Sequence, residues 1–215
     1  MMPDARFITF EGGEGAGKST QIRLLASWLE ERGITVHLTR EPGGSKGAEL
    51  IRGLLLKGDV DLWLPISEAL LLAAARADHI ERTIKPALAR GEWVLCDRFY
   101  DSSIAYQGAG GGLGIARVRD IQKIAFGNMQ PDMTVILDLP VEKGLGRALA
   151  REGAKSDMED RFERMDKSFH ETLRRAFLDI AAEEPARCQV VDADHDIETI
   201  QGNIRRLISD RFDLA

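Results

Sequence analysis

The 215-residue chain predicts a doubly wound α/β fold, a five-stranded parallel sheet with helices on both faces. Three observations carry that expectation. Short apolar runs alternate with amphipathic stretches along the whole length. Most of those runs are too apolar for a sheet with one wet face, and strands buried on both faces belong to parallel sheets. No internal repeat or low-complexity linker divides the chain, so a single domain over 1–215 is expected.

The first strand is expected over 6–10, running straight into a glycine-rich loop. A helix follows over 18–32, with Ile22, Leu25, Trp28 and Leu29 at helical spacing and Gly33 placed to end it. The second strand reads 34–39. Pro65 opens a long helix with Ser67 and Glu68 in its first turn, and Pro86 should kink or end that helix. Then come a strand over 92–97, a helix over 117–126, a strand over 133–139 and a helix over 141–151. A long helix over 158–182, a fifth strand over 188–191 and a helix over 197–212 complete the set. Gly, Pro, Asp or charged residues bound each strand. Ligands of such sheets bind beyond the carboxyl ends of the strands, so the chemistry is to be sought there.

Composition narrows the class. With 44% hydrophobic and 30% charged residues the chain is neither disordered, collagen-like nor a coiled coil. A net charge of −6 argues against a protein that coats nucleic acid, since such proteins carry a basic surplus. Small anions stay possible, because a site needs only a few local cations. Cys96 and Cys188 are far apart with no CxxC pair and no His at metal-ligand spacing, which points to a reducing compartment. Residues 1–10 lack a basic region followed by an apolar one, and the most apolar stretch, 62–77, is cut by Ser67, Glu68 and Arg76. No membrane span is expected, and a cytoplasmic location is.

The loop after the first strand reads Gly12-Gly13-Glu14-Gly15-Ala16-Gly17-Lys18-Ser19, which fits G-x-x-x-x-G-K-[ST]. Glycines let successive backbone N–H groups turn inward around a polyphosphate. Lys18 adds a charge for the β and γ phosphates, the Ser19 hydroxyl suits Mg²⁺, and the next helix aims its positive end at the same anion. A chance glycine-rich turn is the plain alternative, but the motif falls between a strand and a helix, as the mechanism requires. The expected class is a P-loop NTPase. A P-loop alone does not choose between a GTPase, a motor, a recombinase and a small-molecule kinase. No [NT]-K-x-D segment for reading guanine is found, and 215 residues leave little room for the additions of the larger classes.

Asp97-Arg98 closes the third strand at its carboxyl end. A carboxylate there can hold Mg²⁺ through water, and a guanidinium can grip a phosphate with paired hydrogen bonds; a surface ion pair is the plain alternative. The continuation is more specific, Asp97-Arg98-Phe99-Tyr100-Asp101-Ser102-Ser103-Ile104-Ala105-Tyr106-Gln107-Gly108. Together with Thr39-Arg40-Glu41-Pro42-Gly43-Gly44 and the Phe10-Glu11-Gly12 lead into the P-loop, it closely resembles the thymidylate kinases. The likeness runs nearly end to end, from Phe7 through Pro131-Asp132 and Leu137-Asp138 to Asp160-Arg161-Phe162-Glu163.

That resemblance implies transfer of the γ-phosphoryl of ATP to dTMP, giving dTDP for dTTP synthesis. It places ATP on Gly12, Gly13, Glu14, Gly15, Ala16, Gly17, Lys18, Ser19 and Thr20, with Mg²⁺ at Ser19 and Asp97. Glu14 would bind the deoxyribose 3′-hydroxyl and Arg98 the dTMP phosphate, with Asp97 near both metal and phosphate. Ser103 matches a polar position facing thymine N3, and Arg76 an arginine bonded to thymine O4. The Tyr106 ring would crowd a ribose 2′-hydroxyl, and Pro42, Leu72 and Gln107 complete the acceptor side. A helix-surface pair of Arg76 with Glu68 or Asp78 is the plain alternative for that arginine. The resemblance also implies a homodimer. Three departures stand out. Leu72 replaces a phenylalanine that often stacks on the base, losing aromatic geometry worth about a kilocalorie. Gly110-Gly111-Gly112 lacks the arginine of a usual Gly-Arg-Gly. Gly15 replaces an arginine that one branch of the family carries inside its P-loop.

With a plain P-loop, positive charge for the transferring group must come from elsewhere. The segment at about 144–157 carries Arg147, Arg151 and Lys155, with Gly144, Gly146 and Gly153 as flexible points, and matches the family's lid. Arg147 and Arg151 are four apart and share one helical face; a solvated basic face is the plain alternative. Closing a lid keeps water from taking the phosphoryl group. Arg40 and Arg161 are the remaining places to look for that charge. A phosphate acceptor is already ionised and needs no strong base, so His37, His79, His170 and His195 are expected at the surface or in packing. The rivals are a small P-loop kinase for another nucleotide or a deoxynucleoside, and a P-loop switch or partitioning ATPase. Lys18→Ala is expected to abolish turnover while leaving the protein folded, because the ammonium acts where transition-state charge gathers. Near-normal turnover at saturating ATP, beside an unchanged circular dichroism spectrum, would show the motif misread.

Overall fold

Strand β1 (Phe7–Glu11) is buried on both faces and sits in the middle of the sheet. The computed structural model describes residues 4–152 and 161–214. Side chains alternate along β1: Phe7 packs into one core and Ile8 and Phe10 into the other, as the period of two demands. After α1 (Lys18–Glu30) come β2 (Val36–Arg40), α2 (Lys46–Leu55) and α3 (Pro65–His79). Next are α4 (Lys85–Ala89), β3 (Trp93–Asp97), α5 (Tyr100–Ser103) and α6 (Ile115–Phe126). The chain ends with β4 (Met133–Asp138), α7 (Val141–Glu152), α8 (Lys167–Glu183), β5 (Cys188–Asp192) and α9 (Ile197–Phe212). The five strands run parallel in the order β2-β3-β1-β4-β5. The expected sheet is therefore present, with each strand bound within two residues of its reading.

Helices cover both faces. Ile22, Leu25 and Leu29 of α1 and Ile200, Ile204 and Ile208 of α9 pack on Ile8, Leu95 and Val135. On the other face Phe169, Leu173 and Phe177 of α8 pack with Tyr100, Ile104 and Val118 against Phe7 and Ile136. The order winds outward from β1 in both directions, so the loops leaving the carboxyl ends diverge and open a crevice there.

Several boundaries differ from the sequence reading, each for a physical reason. Gly33 ends α1 as expected: its N–H bonds Glu30 O and the Ile34 N–H bonds Leu29 O around a left-handed glycine. Pro86 does not end its helix. A π turn over Ile80–Ile84, closed by Lys85 N–H on Ile80 O, carries the helix through to Ala89. The helix expected over 158–182 begins only at Lys167, where the Asp166 carboxylate caps the Phe169 N–H at 2.8 Å; residues 161–165 form turns, and 158–160 lie outside the described residues. Helix α2 is an addition to the sequence reading; Ser45 caps it on the Ala48 N–H, and its leucines 50 and 54 face solvent. Helix α5 and the π turn over Ile104–Gly110 are buried almost all round, which leaves no amphipathic period to read. Gly144 and Gly146 lie inside α7, not in a connecting loop.

One buried ion pair ties the segment after β3 to the far edge of the sheet. Arg187, just before β5, makes paired bonds of 2.8 and 2.9 Å to Asp101 of α5 and one of 2.6 Å to Thr134 of β4. Burial pushes the Asp101 carboxyl up and Arg187 opposes it. Arg187→Met should cost about 3–5 kcal/mol in urea denaturation, because it strands a buried carboxylate. A loss under about 1 kcal/mol would show that the pair is not what holds α5.

Candidate active site

The carboxyl ends of β1 and β3 lie side by side, Phe10 in register with Asp97. The segments leaving these two strands are tied together by Glu11, the last residue of β1, whose side chain is fully buried. Its Oε1 accepts the Phe99 and Ser102 N–H groups at 2.7 and 3.3 Å, and its Oε2 accepts the Ser102 hydroxyl at 2.6 Å. That carboxylate fixes the turn holding Arg98 at φ +69°, a left-handed conformation that a non-glycine residue keeps only when its surroundings enforce it. Arg98 then reaches back over the P-loop, donating to Gly12 O at 3.0 Å, to the Ser102 hydroxyl at 3.1 Å and to Glu14 Oε1 at 2.7 Å. The Tyr106 hydroxyl donates to the same Glu14 oxygen at 2.7 Å, and the Arg98 guanidinium lies 5.0 Å from the Tyr106 ring centre.

The P-loop wraps a buried ammonium. Lys18 Nζ donates to the carbonyls of Gly12 and Gly13 at 3.1 and 2.9 Å. Gly12, at φ +126°, passes so close to β4 that a Cβ would overlap the Leu137 carbonyl oxygen. The Ser19 hydroxyl donates to Asp97 Oδ2 at 2.7 Å, which brings the two expected metal-binding oxygens together. Among the described residues no cluster of three or more His, Cys, Asp or Glu side chains is placed for a metal.

A cavity of about 330 Å³ runs from the P-loop past Arg98 to Arg76. Glu14 through Thr20, Pro42, Leu72, Arg76, Asp97, Arg98, Ser103, Tyr106 and Gln107 line it, so the sequence-expected residues converge on one space. Gly12 and Gly13 do not line it; their carbonyls accept from Lys18 Nζ, which does. Arg147 does not line it; that arginine is exposed on α7. The Arg151 side chain, and Gly153 and Lys155 of the expected lid, lie outside the described residues.

Arg76 is buried and is no surface ion pair. Its Nε donates to Glu41 Oε2 at 2.5 Å, and its terminal nitrogens donate to the Ser103 hydroxyl and Phe99 O at 3.0 and 3.1 Å. Glu68 and Asp78, the alternative partners, are engaged elsewhere: Glu68 with Gln107 and Arg161, Asp78 with Ser45 and Arg82. Glu41 holds His79 Nδ1 on its other oxygen at 2.9 Å, and His79 Nε2 meets the Thr39 hydroxyl at 2.7 Å. His79 is thus packing, as expected, but packing that supports Arg76. Arg161 is removed as a source of phosphate charge. It is buried and spent on Glu68 and the carbonyls of Leu55, Asp59 and Val60. Arg40 lines the cavity and pairs with Glu49.

The carboxylates here differ in charge state. Burial alone would push Glu14 up, but the Arg98 and Lys18 charges and the Tyr106 hydroxyl outweigh it and hold it at about 2. Burial, and then the Asp101 carboxylate, push Glu11 up to about 7 against the pull of Arg98. Burial also lowers Lys18, with Arg98 acting in the same direction and the nearby carboxylates opposing. Sequence reading missed Glu11, Glu41, Ser102, Phe162 and Glu163 as site residues. The motif strings contain all of them, but no local spacing signal tells a carboxylate that holds an arginine from one that holds a ligand.

A family model described as Thymidylate kinase matches residues 10–204. The thymidylate kinase of Bradyrhizobium diazoefficiens is 52% identical over 207 residues, covering 96% of this chain and 90% of that protein. That of Caulobacter vibrioides is 52% identical over 213 residues, covering 99% and 100%. The crystal structure of thymidylate kinase from Ehrlichia chaffeensis superposes with a TM-score of 0.75 at 34% identity, covering 96% of this chain and 99% of that one.

Glu11 gives a pH signature. Its folded value of about 7 lies above the ordinary 4.5, so the folded state holds a proton that the unfolded state releases. This group's contribution to stability therefore falls as pH rises through that window. Glu14, held at about 2, adds nothing to that slope, since it is ionised in both states above 4.5. Denaturation at about pH 5 and about pH 8 should show Glu11→Gln losing less stability than the wild type over that interval. Parallel profiles would mean that Glu11 does not titrate there.

Proposed function

The chain belongs to the thymidylate kinase family, and from that premise we propose how its residues divide the ATP-dependent phosphorylation of dTMP to dTDP. A phosphate oxygen of dTMP attacks the γ phosphorus in line; the new P–O bond forms as the bond to the β-bridging oxygen breaks, and ADP leaves. The acceptor is already an anion, so the work is positioning and charge. The observation that carries the division is the continuity of one cavity from the Lys18 cradle past Arg98 to Arg76. Gly12 through Thr20 take the ATP phosphates, with Lys18 at the β and γ groups. Arg98 takes the dTMP phosphate, Glu14 the 3′-hydroxyl, Ser103 and Arg76 the base edge, and Pro42, Leu72 and Gln107 close around the nucleoside.

Ser19 and Asp97 present a hydroxyl and a carboxylate within 2.7 Å of each other, hard oxygen donors of the kind Mg²⁺ takes. When bound there, Mg²⁺ would neutralise charge on the β and γ phosphates. Arg147 and Arg151 are assigned to the transferring group, on a lid at about 144–157 within a single domain over 1–215. The approach of Gly144 on the same helix to the P-loop backbone supports that assignment. A homodimer is supported by leucines 50 and 54 of α2, Leu70 of α3 and Ile124 of α6, all exposed on neighbouring helices. Free, buried Cys96 and Cys188 favour a cytoplasmic location. No helix among the described residues is long and apolar enough to cross a membrane.

An acceptor panel with ATP tests the assignment. dTMP should outrun UMP, GMP and thymidine, and Tyr106→Phe should keep the preference for the deoxy sugar while Tyr106→Ala relaxes it by about tenfold. Turnover indifferent to dTMP would favour a partitioning ATPase. Sugar discrimination unchanged in Tyr106→Ala would move the selector elsewhere.

A further inference from the structure

The P-loop and α7 meet through bare backbone. Gly15 has φ +66°, and a Cβ there would overlap the carbonyl oxygen of Gly144. A Cβ on Gly144 would in turn overlap the carbonyl oxygen of Glu14. Two positions without side chains therefore face each other across the contact, and neither has room for a methyl group. Gly144 is buried in the first turn of α7, its N–H on Pro140 O at 3.1 Å. Alanine is the better helix former, so helix formation does not explain this glycine. Close approach to the P-loop does. Ala148, one turn on and buried, continues the same face. Arg147 and position 151, three and seven residues beyond Gly144, lie towards that side of the helix. A second tie holds the helix from its flank, where Lys143 Nζ meets both Asp194 oxygens at 2.7 Å in the loop after β5.

We propose that Gly15 and Gly144 are a docking pair that sets the depth and rotation of α7 on the P-loop, making Gly144 a positioning residue that acts through the arginines of α7. The inference rests on the reading of Arg147 and Arg151 as the cations for the transferring group. On this view a plain P-loop is more than one that lacks an arginine: its bare backbone is the surface on which the cation-bearing helix seats. Any side chain at 15 or 144 lifts the helix away from the phosphates. A displacement of about 1 Å can cost on the order of a hundredfold in rate when charge must meet a transition state.

Gly144→Ala tests this at a modest cost in stability, because the gain in helix propensity partly offsets the overlap with the Glu14 carbonyl. The circular dichroism spectrum should be unchanged and the melting temperature lowered by only a few degrees, kcat should fall at least about tenfold, and KM for dTMP should stay within about twofold. Gly146→Ala is the matching exchange two residues on, where a Cβ meets nothing. If stiffening of the helix were the cause, both variants would be slow; docking slows Gly144→Ala alone. In an Arg147→Ala/Arg151→Ala background, adding Gly144→Ala should cost less than about twofold more, because no arginine is left to position. Wild-type kcat in Gly144→Ala, equal losses in both glycine variants, or the same factor in both backgrounds would each overturn the proposal. Wild-type kcat in the arginine-free enzyme would instead defeat the lid reading on which it rests.

Discussion

A single buried carboxylate fixes how the P-loop and the turn after β3 lie against each other. Glu11 ends β1 on the side of the strand facing α5, and three hydrogen bonds from Phe99 and Ser102 end on it. Without that acceptor the turn after β3 has no reason to hold Arg98 in a left-handed conformation, and the guanidinium would not fold back over Gly12 and Glu14. The P-loop leaves the same strand one residue later. Glu11 thus locks together the P-loop strand and the turn after β3, which the chain separates by more than eighty residues. The cost is a carboxyl group beside Asp101 and away from water, and the raised proton affinity of Glu11 is that cost made visible.

Two arginines of the cavity are paired with buried or half-buried carboxylates, Arg98 with Glu14 and Arg76 with Glu41, and Arg161 beside it is paired in the same way with Glu68. A chain of net charge −6 can therefore line one cavity with several cations. Pairing also removes freedom. An arginine held at three nitrogens before any ligand arrives loses no further ordering entropy on binding, and such preorganisation is where electrostatic catalysis finds its strength. The same pairing makes each carboxylate unsafe to remove, since the guanidinium left behind keeps only neutral acceptors and no counter-charge.

The sheet, the P-loop and the Asp97-Arg98 turn were legible because their signals are local. Apolar runs fix the strands, glycine spacing fixes the cradle, and a strand end fixes where a charged pair must fall. Arg76 was legible as a position only by resemblance, and its surroundings were not legible at all. Nothing in the spacing of Glu41, His79 and Thr39 announces that they will form one chain of hydrogen bonds ending on that arginine. Their meeting depends on the end of α3 coming against the end of β2, which is tertiary information. Arg161 misled for the same reason. Read as sequence it was one more cation near a family motif, whereas four bonds to carbonyls and to Glu68 make it a brace for the segment between α2 and α3. Gly144 was read as a point of flexibility because glycine in sequence signals freedom. In the fold it signals proximity.

Leu72, an aliphatic residue on the cavity wall where the resemblance implies an aromatic one, gives the Arg76 network its weight. An aliphatic side chain covers a base and buries its area, but it has no quadrupole to favour one offset or tilt of the ring over another. In the proposed arrangement, orientation of the base then falls to hydrogen bonds at its edge, and those orient only as well as their donors are fixed. A guanidinium has five N–H groups in a rigid plane. Three bonds, to Glu41, Ser103 and Phe99, already fix that plane, and the remaining N–H groups lie in it with no rotamer freedom left. Glu41 is fixed in turn by His79, and His79 by Thr39. The chain of four residues from β2 to the cavity is what an aliphatic pocket wall requires, because the stiffness that stacking does not supply must come from the donor side.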